Sequence, residues 1–151
     1  MKLQSISYSP EIIFDPEVID ILYTYKQNGD TPETGGILLG KVYKNGDIMV
    51  CRCSEPCVIG KANKMGFYRS FKIANKIINQ AFQESNGTVL YLGEWHTHPV
   101  DNPIPSSTDK TSIENIYNTA NLSVNVIIYL IIGRSSIYYG CYDGKKHYKL
   151  V

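Results

Sequence analysis

The chain has almost no net charge. Its 151 residues include 15 lysines and arginines against 14 aspartates and glutamates, a formal charge of +1. A nucleic-acid-binding protein is usually clearly basic, with lysines and arginines clustered on one face. No apolar run approaches the roughly 18 residues that cross a bilayer, and the polar residues 1–10 argue against a signal peptide. We therefore expect a cytoplasmic protein that binds neither nucleic acid nor membrane. Nothing in the sequence predicts its oligomeric state.

Cysteine is scarce, with four residues in the chain. Cys51, Cys53 and Cys57 lie close together, but the spacing Cys-x-Cys-x3-Cys fits no standard zinc site. A fourth ligand would have to come from the distant Cys141 or His147. Disulfides are rare in the cytoplasm. We therefore predict free thiols that pack as small apolar side chains.

Hydrophobic periodicity divides the chain into the elements of one domain. Strands are predicted at 11–14, 36–43, 47–54, 88–98, 124–132, 137–142 and 147–151, and helices at 15–28, 69–85 and 106–120. Residues 56–66 are predicted to form an irregular surface loop near the functional site. The order β-α-β-β-α-β-α-β-β-β predicts a single α+β domain over residues 1–151, with a mixed β-sheet sandwiched by helices.

Two of the three histidines, His96 and His98, stand in the segment Glu-Trp-His-Thr-His-Pro that begins at residue 94. The preceding apolar residues predict a strand, which Pro99 ends because proline cannot donate to a sheet. Residues two apart on a strand point to the same face, about 7 Å apart along the backbone. The two imidazoles can therefore converge on one metal ion.

A third metal ligand is predicted from the helix that follows. Ser106 or Ser107 is a good N-cap, which places Asp109 in the first helical turn, where a carboxylate is also favoured by the helix dipole. Glu94 is the competing carboxylate, because it shares the strand face of both histidines and could act as a ligand or as a base. Two histidines and one carboxylate leave a coordination position open for water, as in catalytic sites.

The spacing His96-x-His98-Pro99, six residues, Ser106, two residues, Asp109 resembles the signature of the JAMM (MPN-plus) metalloproteases. An upstream glutamate, followed by glycine and apolar residues, belongs to the same pattern, and Glu33 stands in such a segment. The resemblance implies a zinc ion bound by His96, His98 and Asp109. It also implies that Glu33 is the general base and that Ser106 stabilises the transition state.

Three further residues near the motif have their own predictions. Glu94, if it is not a ligand, is expected to orient an imidazole. Trp95 points to the opposite strand face and is predicted to lie in the core, whereas Asp101 lies in the loop before the helix and is expected to face substrate. His147 is predicted to be a residue of the C-terminal hairpin or the surface rather than a ligand.

Within the family, the segment around the motif is similar to compact prokaryotic JAB proteins. It most resembles the deconjugating proteases of CBASS anti-phage operons, which release the C-terminus of a nucleotidyltransferase from its targets. This resemblance implies a zinc-dependent isopeptidase whose partner is a protein joined by its C-terminus to a target lysine. The alternatives are a peptidase that trims a sulfur-carrier or ubiquitin-like precursor, a non-catalytic scaffold, and a DNA-associated relative. The scaffold predicts missing ligands, and the DNA-associated role predicts a basic face.

Overall fold

A mixed β-sheet runs through the middle of the protein, and helices cover both of its faces. The computed structural model describes residues 2–3, 11–63 and 66–150, with side chains omitted at 2–3, 59–63 and 66–68. In these ranges the elements are β1 (Lys2–Leu3), β2 (Ile12–Phe14), α1 (Pro16–Tyr23), β3 (Gly35–Val42), β4 (Ile48–Cys53), β5 (Val58–Asn63), β6 (Gly66–Arg69), α2 (Phe71–Glu84), β7 (Leu90–Thr97), α3 (Ser107–Thr119), β8 (Ile127–Ile132), β9 (Ile137–Tyr142) and β10 (His147–Lys149). None of the helices in these ranges is long and apolar enough to cross a membrane.

The main sheet has the strand order β1-β2-β4-β3-β7-β8-β9-β10. Strand β7 pairs antiparallel with β3 and parallel with β8. The strand that carries the histidine motif is therefore an interior strand, held by hydrogen bonds on both sides. The remaining pairs are antiparallel except for β2 with β4, which confirms the predicted mixed sheet.

Two separate hydrophobic cores lie on the two faces of the sheet. Helix α1 packs on one face through Val18, Ile19 and Leu22, while α2 and α3 contribute to the other core. All six residues of β8 are buried and alternate between the two cores, as expected for a strand with period two that is covered on both faces. This arrangement confirms the predicted α+β sandwich.

An irregular loop was predicted for residues 56–66, but residues 58–63 and 66 belong to two strands. Strands β5 and β6 pair antiparallel in a small second sheet, and residues 64–65 lie outside the described part of the chain. The prediction was wrong because Gly60 and Gly66 interrupt the pattern of β-forming residues. Arg69 is accordingly the last residue of a strand, whereas the sequence predicted it as the start of a helix.

Cap and turn residues place most of the other boundaries close to the predicted ones. Asp15 caps α1 and its carboxylate accepts a hydrogen bond from the N–H of Glu17. The turn after α2 has Asn86 at φ 55° and Gly87 at φ 80°, in the left-handed region that asparagine and glycine tolerate best. Helix α1 ends at Tyr23, before the predicted stop at 28, because Thr24 already bonds back to the carbonyl of Ile21. Strand β1 had no predicted counterpart, and Val151, the last residue of the predicted final strand, lies outside the described residues.

Candidate active site

The two histidines of the motif converge at the end of β7. The backbone of His96 pairs with Gly35 of β3 and Ile131 of β8. His98 lies one residue beyond the strand, but its N–H still donates to the carbonyl of Ile132 at 3.0 Å. The two Nε2 atoms are 3.1 Å apart. The sheet therefore fixes the positions of both imidazoles although only one of them belongs to the strand.

Asp109 meets both histidines from the first turn of α3. Its Oδ1 lies 3.2 Å from Nε2 of His96, and its Oδ2 lies 3.2 Å from Nε2 of His98. Ser106 is the N-cap: its hydroxyl accepts a hydrogen bond from the N–H of Asp109, while its own N–H donates to Oδ2 of Asp109. This capping box fixes the orientation of the carboxylate toward the imidazoles.

The charge state of Asp109 suits metal binding. Burial raises the pKa of Asp109, but hydrogen bonds from both histidines outweigh it and hold that pKa well below its usual range. Burial lowers the pKa of His98, whereas the hydrogen bond and charge of Asp109 raise it above its usual value. The carboxylate is thus ionised at neutral pH, which is the form that binds a cation.

His96, His98 and Asp109 fit a divalent metal ion. Their side chains are 12%, 18% and 16% exposed, and three ligand atoms, one from each, lie within 4.8 Å of one another. Among the side chains that the structure describes, this is the group of histidine, cysteine and acidic residues that converges in this way. Two imidazole nitrogens and one carboxylate oxygen are a donor set that binds catalytic zinc.

Glu33 lies next to this group because two strands hold it there. The N–H of Thr34 donates to the hydroxyl of Thr97 at 3.0 Å, and the N–H of Thr97 donates to the carbonyl of Thr34 at 2.9 Å. Glu33 is only 7% exposed. Burial raises its pKa to about 7, with the charge of Asp109 adding to the rise and His98 opposing it. A buried carboxyl group that titrates near neutrality can both accept and release a proton.

A cleft of about 870 Å³ contains all five residues that the sequence singled out: Glu33, His96, His98, Ser106 and Asp109. One wall is α3, from its N-cap to Thr119, and the lining also includes Arg69 and Phe71 at the junction of β6 and α2. Ser106 is exposed at the mouth of the cleft. Because its hydroxyl accepts the bond from Asp109, the hydroxyl hydrogen remains a donor for a ligand.

Glu94, the competing carboxylate, is held by other groups. Its Oε2 accepts hydrogen bonds from Nη2 of Arg69, at 3.1 Å, and from the hydroxyl of Tyr91, while Nε of Arg69 contacts its Oε1. Burial raises the pKa of Glu94 to about 7 against the opposing effect of Arg69 and Tyr91. Its carboxylate is therefore paired with Arg69 and Tyr91, instead of orienting an imidazole as predicted.

Trp95 lies in the core, whereas Asp101 lies on the surface outside the lining of the cleft. Trp95 is 1% exposed and its ring stacks on that of Tyr25, with centroids 5.0 Å apart, which confirms the prediction of a core residue. Asp101 is exposed, but it is absent from the lining of the cleft. Its carbonyl accepts hydrogen bonds from the N–H groups of Ser135 and Ser136 in the turn between β8 and β9.

His147 lies in the predicted C-terminal hairpin, and it is bonded on both sides. Its Nδ1 is 3.0 Å from the hydroxyl of Tyr129, and its Nε2 is 2.9 Å from a carboxylate oxygen of Glu114. It therefore connects the sheet to α3.

The four cysteines are free thiols in the structure. Cys57 and Cys141 are fully buried, as predicted for small apolar side chains, whereas Cys51 and Cys53 are only half-buried.

Comparison with known proteins agrees with this arrangement. A family model described as prokaryotic homologs of the JAB domain matches residues 15–140. The chain belongs to this family. A Vibrio cholerae protein named CD-NTase/cGAS isopeptidase is 35% identical over 130 residues, which are 85% of this chain and 80% of that protein. An Escherichia coli protein of the same name is 35% identical over 135 residues, 88% of this chain and 83% of that protein.

The fold of this JAB-family chain also has a match among solved structures. The solution structure of a protein from Desulfitobacterium hafniense superposes with a TM-score of 0.59, at 17% sequence identity. The match covers 91% of this chain and 88% of that protein. The two proteins share the fold, and the predicted family resemblance is confirmed.

Proposed function

We propose that this JAB-family protein is a zinc-dependent isopeptidase of 151 residues folded as a single domain. It hydrolyses the bond between the C-terminal carboxyl group of one protein and a lysine amine of another. The observation that carries the proposal is that His96, His98 and Asp109 converge in one cleft with the buried Glu33. A metal-dependent hydrolase of peptide-like bonds needs these two parts, a metal site with an open position and a nearby base.

The identity of the released protein is inferred from the relatives. Two proteins that are 35% identical over most of this chain are named CD-NTase/cGAS isopeptidase. We therefore propose that the substrate is a CD-NTase joined through its C-terminus to a target protein. The site of action would be the bacterial cytoplasm, in CBASS anti-phage signalling.

His96, His98 and Asp109 would hold the zinc ion through Nε2, Nε2 and a carboxylate oxygen. When bound, zinc lowers the pKa of water from about 16 to roughly 7 and polarises a carbonyl group. The capping box keeps the carboxylate of Asp109 aimed at this position. The hydrogen bond from His98 to the carbonyl of Ile132 is made by its backbone N–H, so it occupies neither imidazole nitrogen.

In the proposed reaction Glu33 acts first as the general base and then as the general acid. Its carboxylate takes a proton from the attacking water and delivers it to the nitrogen of the leaving lysine, which leaves poorly as an anion. General acid-base catalysis of this kind contributes about 100-fold to 10,000-fold. The pKa of about 7 that burial gives Glu33 is suited to both halves of the transfer at neutral pH.

Ser106 and α3 bind the substrate. The hydroxyl of Ser106 donates to the oxygen that becomes negative at the scissile carbonyl, and one such donor contributes about 3 to 4 kcal/mol. The wall formed by α3 extends from Ser106 to Thr119, about 20 Å at the helical rise per residue. An extended C-terminal tail of about six residues fits along that length.

The first test combines metal content with activity on the zinc-loaded protein. The substrate is the C-terminal peptide of the CD-NTase from the same genome, joined either to a lysine side chain or as a linear fusion. We expect His96→Ala to lose zinc and all hydrolysis, and Glu33→Ala to keep zinc while losing at least 100-fold in rate. His147→Ala is the matched control, because His147 is bonded to Tyr129 and Glu114 outside the metal group, and it should keep its zinc.

Three results would contradict the proposal. Undiminished hydrolysis after complete chelation would exclude a metal-dependent reaction. Full activity of Glu33→Ala together with loss of activity in Glu94→Ala would show that the base is the other carboxylate. Cleavage of the linear fusion without cleavage of the lysine-linked peptide would favour a peptidase that processes precursors.

A further inference from the structure

The backbone of Glu33 lies just outside the sheet, because strand β3 begins at Gly35. The side chain of Glu33 is nevertheless buried in the cleft beside the metal-binding group. Its carboxylate receives no hydrogen bond from the residues that the structure describes. The position of the carboxylate therefore depends on how the chain is held on either side of Glu33.

On the N-terminal side, the chain reaches Glu33 from a closed turn. The side chain of Gln27, a fully buried residue, donates to the carbonyl of Thr31 at 2.9 Å. The N–H and the hydroxyl of Thr31 both donate to the carbonyl of Asn28, at 3.1 and 2.6 Å. Pro32 follows this turn and has a restricted φ. The approach of the chain to Glu33 is thus fixed.

On the C-terminal side, Thr97 of β7 holds the chain. The N–H of Thr97 donates to the carbonyl of Thr34 at 2.9 Å, and the N–H of Thr34 donates to the side-chain hydroxyl of Thr97 at 3.0 Å. In a regular antiparallel pair of this kind both bonds would join backbone groups. The hydroxyl of Thr97 therefore replaces its carbonyl as the acceptor, at the residue where the chain leaves the sheet toward Glu33.

Thr97 stands between two of the predicted metal ligands, His96 and His98. Successive residues of a strand point to opposite faces, so the side chain of Thr97 points away from the face that carries the imidazole of His96. Thr97 is fully buried, and a buried hydroxyl needs a hydrogen-bond partner, which Thr34 supplies. The same strand thus carries the histidines on one face and anchors the segment of Glu33 from the other.

We propose that Thr97 is a positioning residue for Glu33. Its hydroxyl, and not its bulk, holds the carboxylate of Glu33 at the place where it can exchange a proton beside the metal-binding group. A displacement of about 1 Å in a reacting group can lower a rate by about 100-fold. This inference rests on the proposed isopeptidase function and adds a residue that acts through the general base.

Two substitutions separate the hydroxyl of Thr97 from the bulk of its side chain. Thr97→Val has nearly the same shape but no hydroxyl, whereas Thr97→Ser keeps the hydroxyl. On the lysine-linked C-terminal peptide of the CD-NTase, we expect Thr97→Val to lower kcat by at least about ten-fold, with KM within about two-fold and zinc content unchanged. Thr97→Ser should keep kcat within about three-fold. Thr97→Ala repeats the test with a smaller side chain.

Combination with Glu33→Gln shows which residue Thr97 acts through. If it acts through Glu33, Thr97→Val should lower the residual hydrolysis of Glu33→Gln by less than about two-fold, because the base is already absent. An equal loss in both backgrounds would show that Thr97 acts on the fold or on the metal-binding group instead, and it would overturn the inference. Loss of zinc in Thr97→Val would overturn it as well.

Amide hydrogen exchange in the metal-free protein measures the anchor without catalysis. In Thr97→Val the N–H of Thr34 loses its acceptor, so we expect it to exchange at least about ten-fold faster than in the unmodified protein. In Thr97→Ser its rate should be unchanged. An unchanged rate in Thr97→Val would show that the hydroxyl does not hold Thr34, which would overturn the inference.

Ser54→Ala is the matched control. The hydroxyl of the buried Ser54 accepts a hydrogen bond from the N–H of Ile37, also in β3, at 2.9 Å. Its loss removes the same kind of bond farther from Glu33, so kcat should stay within about two-fold. Absence of hydrolysis by the unmodified zinc-loaded protein would contradict the isopeptidase function. Full kcat in Thr97→Val would contradict the positioning role alone.

Discussion

The surroundings of Glu33 and of Glu94 are the most instructive comparison within the cleft. Both glutamates are almost fully buried, both line the same cavity, and burial raises the pKa of each to about 7. The carboxylate of Glu94 accepts hydrogen bonds from Arg69 and Tyr91 and forms an ion pair with Arg69. For Glu33, no hydrogen bond to the carboxylate comes from the residues that the structure describes, and its pKa is raised first by burial, with the charge of Asp109 adding to the rise and that of His98 opposing it.

The difference shows how two similar carboxylates can have separate roles. A carboxylate that is bound by an arginine and a phenol has its lone pairs engaged, so it stabilises structure and is a poor proton carrier. A carboxylate that is buried without such partners has a destabilised anion and accepts a proton readily. Burial is common to both, and the partners decide which residue can serve as a base.

The largest expected effect is on catalysis. We predict that Glu33→Gln lowers kcat/KM of the zinc-loaded protein by about 100-fold to 10,000-fold, because the amide cannot carry a proton. Glu94→Gln is the matched control in the same cleft, and we expect it to keep activity within about ten-fold, the upper range for a neighbouring structural contact. The measurement is hydrolysis of the lysine-linked tail peptide at pH 7. A larger loss of kcat/KM in Glu94→Gln than in Glu33→Gln would contradict the separate roles of the two carboxylates.

A second prediction concerns stability and the ion pair of Glu94. Arg69→Met removes the charge but keeps the bulk of the side chain, and it leaves a buried carboxylate without its counterion. We expect the free energy of unfolding at pH 8 to fall by about 3 to 5 kcal/mol, as for other buried pairs that lose one partner. Urea denaturation provides the measurement.

Two variants control this result. Arg52→Met changes an exposed arginine of β4 and should alter the stability by no more than about 0.5 kcal/mol. The double variant Arg69→Met with Glu94→Gln should recover much of the loss, since the unpaired charge is then gone. Equal losses in Arg69→Met and Arg52→Met would show that the ion pair contributes nothing.

The parts of the site that could be predicted from the sequence are those set by local geometry. The spacing of His96 and His98 follows from a strand, and the position of Asp109 follows from the serine cap at residue 106. In both cases the residues that give the signal lie within a few positions of the residue that they place. The approach of Glu33 depends on the pairing of β3 with β7, which joins residues about 60 positions apart, and only the family resemblance pointed to it.

The parts that were missed are determined by tertiary contacts. The ion pair of Arg69 with Glu94 joins residues 25 positions apart, and an arginine before a helix has no local feature that indicates such a partner. The strands β5 and β6 were missed for two reasons. Glycines interrupt their alternation of apolar and polar residues, and each strand is stabilised by pairing with the other. The mixed sheet and the presence of the three helices were predicted correctly, because long apolar runs and caps are strong signals.

The smallest expected effect is a change of about 2 kcal/mol in the free energy of unfolding with pH, and it distinguishes Glu33 from Glu94. In the metal-free protein the raised pKa of Glu33 contributes stability that is present below pH 4.5 and is lost as the pH rises through about 7. Each pKa unit corresponds to about 1.4 kcal/mol, and partial solvation of the anion reduces the total. Glu33→Gln removes this loss. The stability of the variant relative to the unmodified protein should therefore be higher at pH 8 than at pH 5.

Glu94→Gln should stabilise the protein less than Glu33→Gln does at pH 8. Burial raises the pKa of Glu94 as well, but the amide also deprives Arg69 of its counterion, which offsets the gain. Thermal denaturation of both variants at pH 5 and pH 8, after removal of metal, measures the two effects side by side. If Glu94→Gln stabilised the protein at pH 8 as much as Glu33→Gln, the partners of the two carboxylates could not be the cause of their different roles.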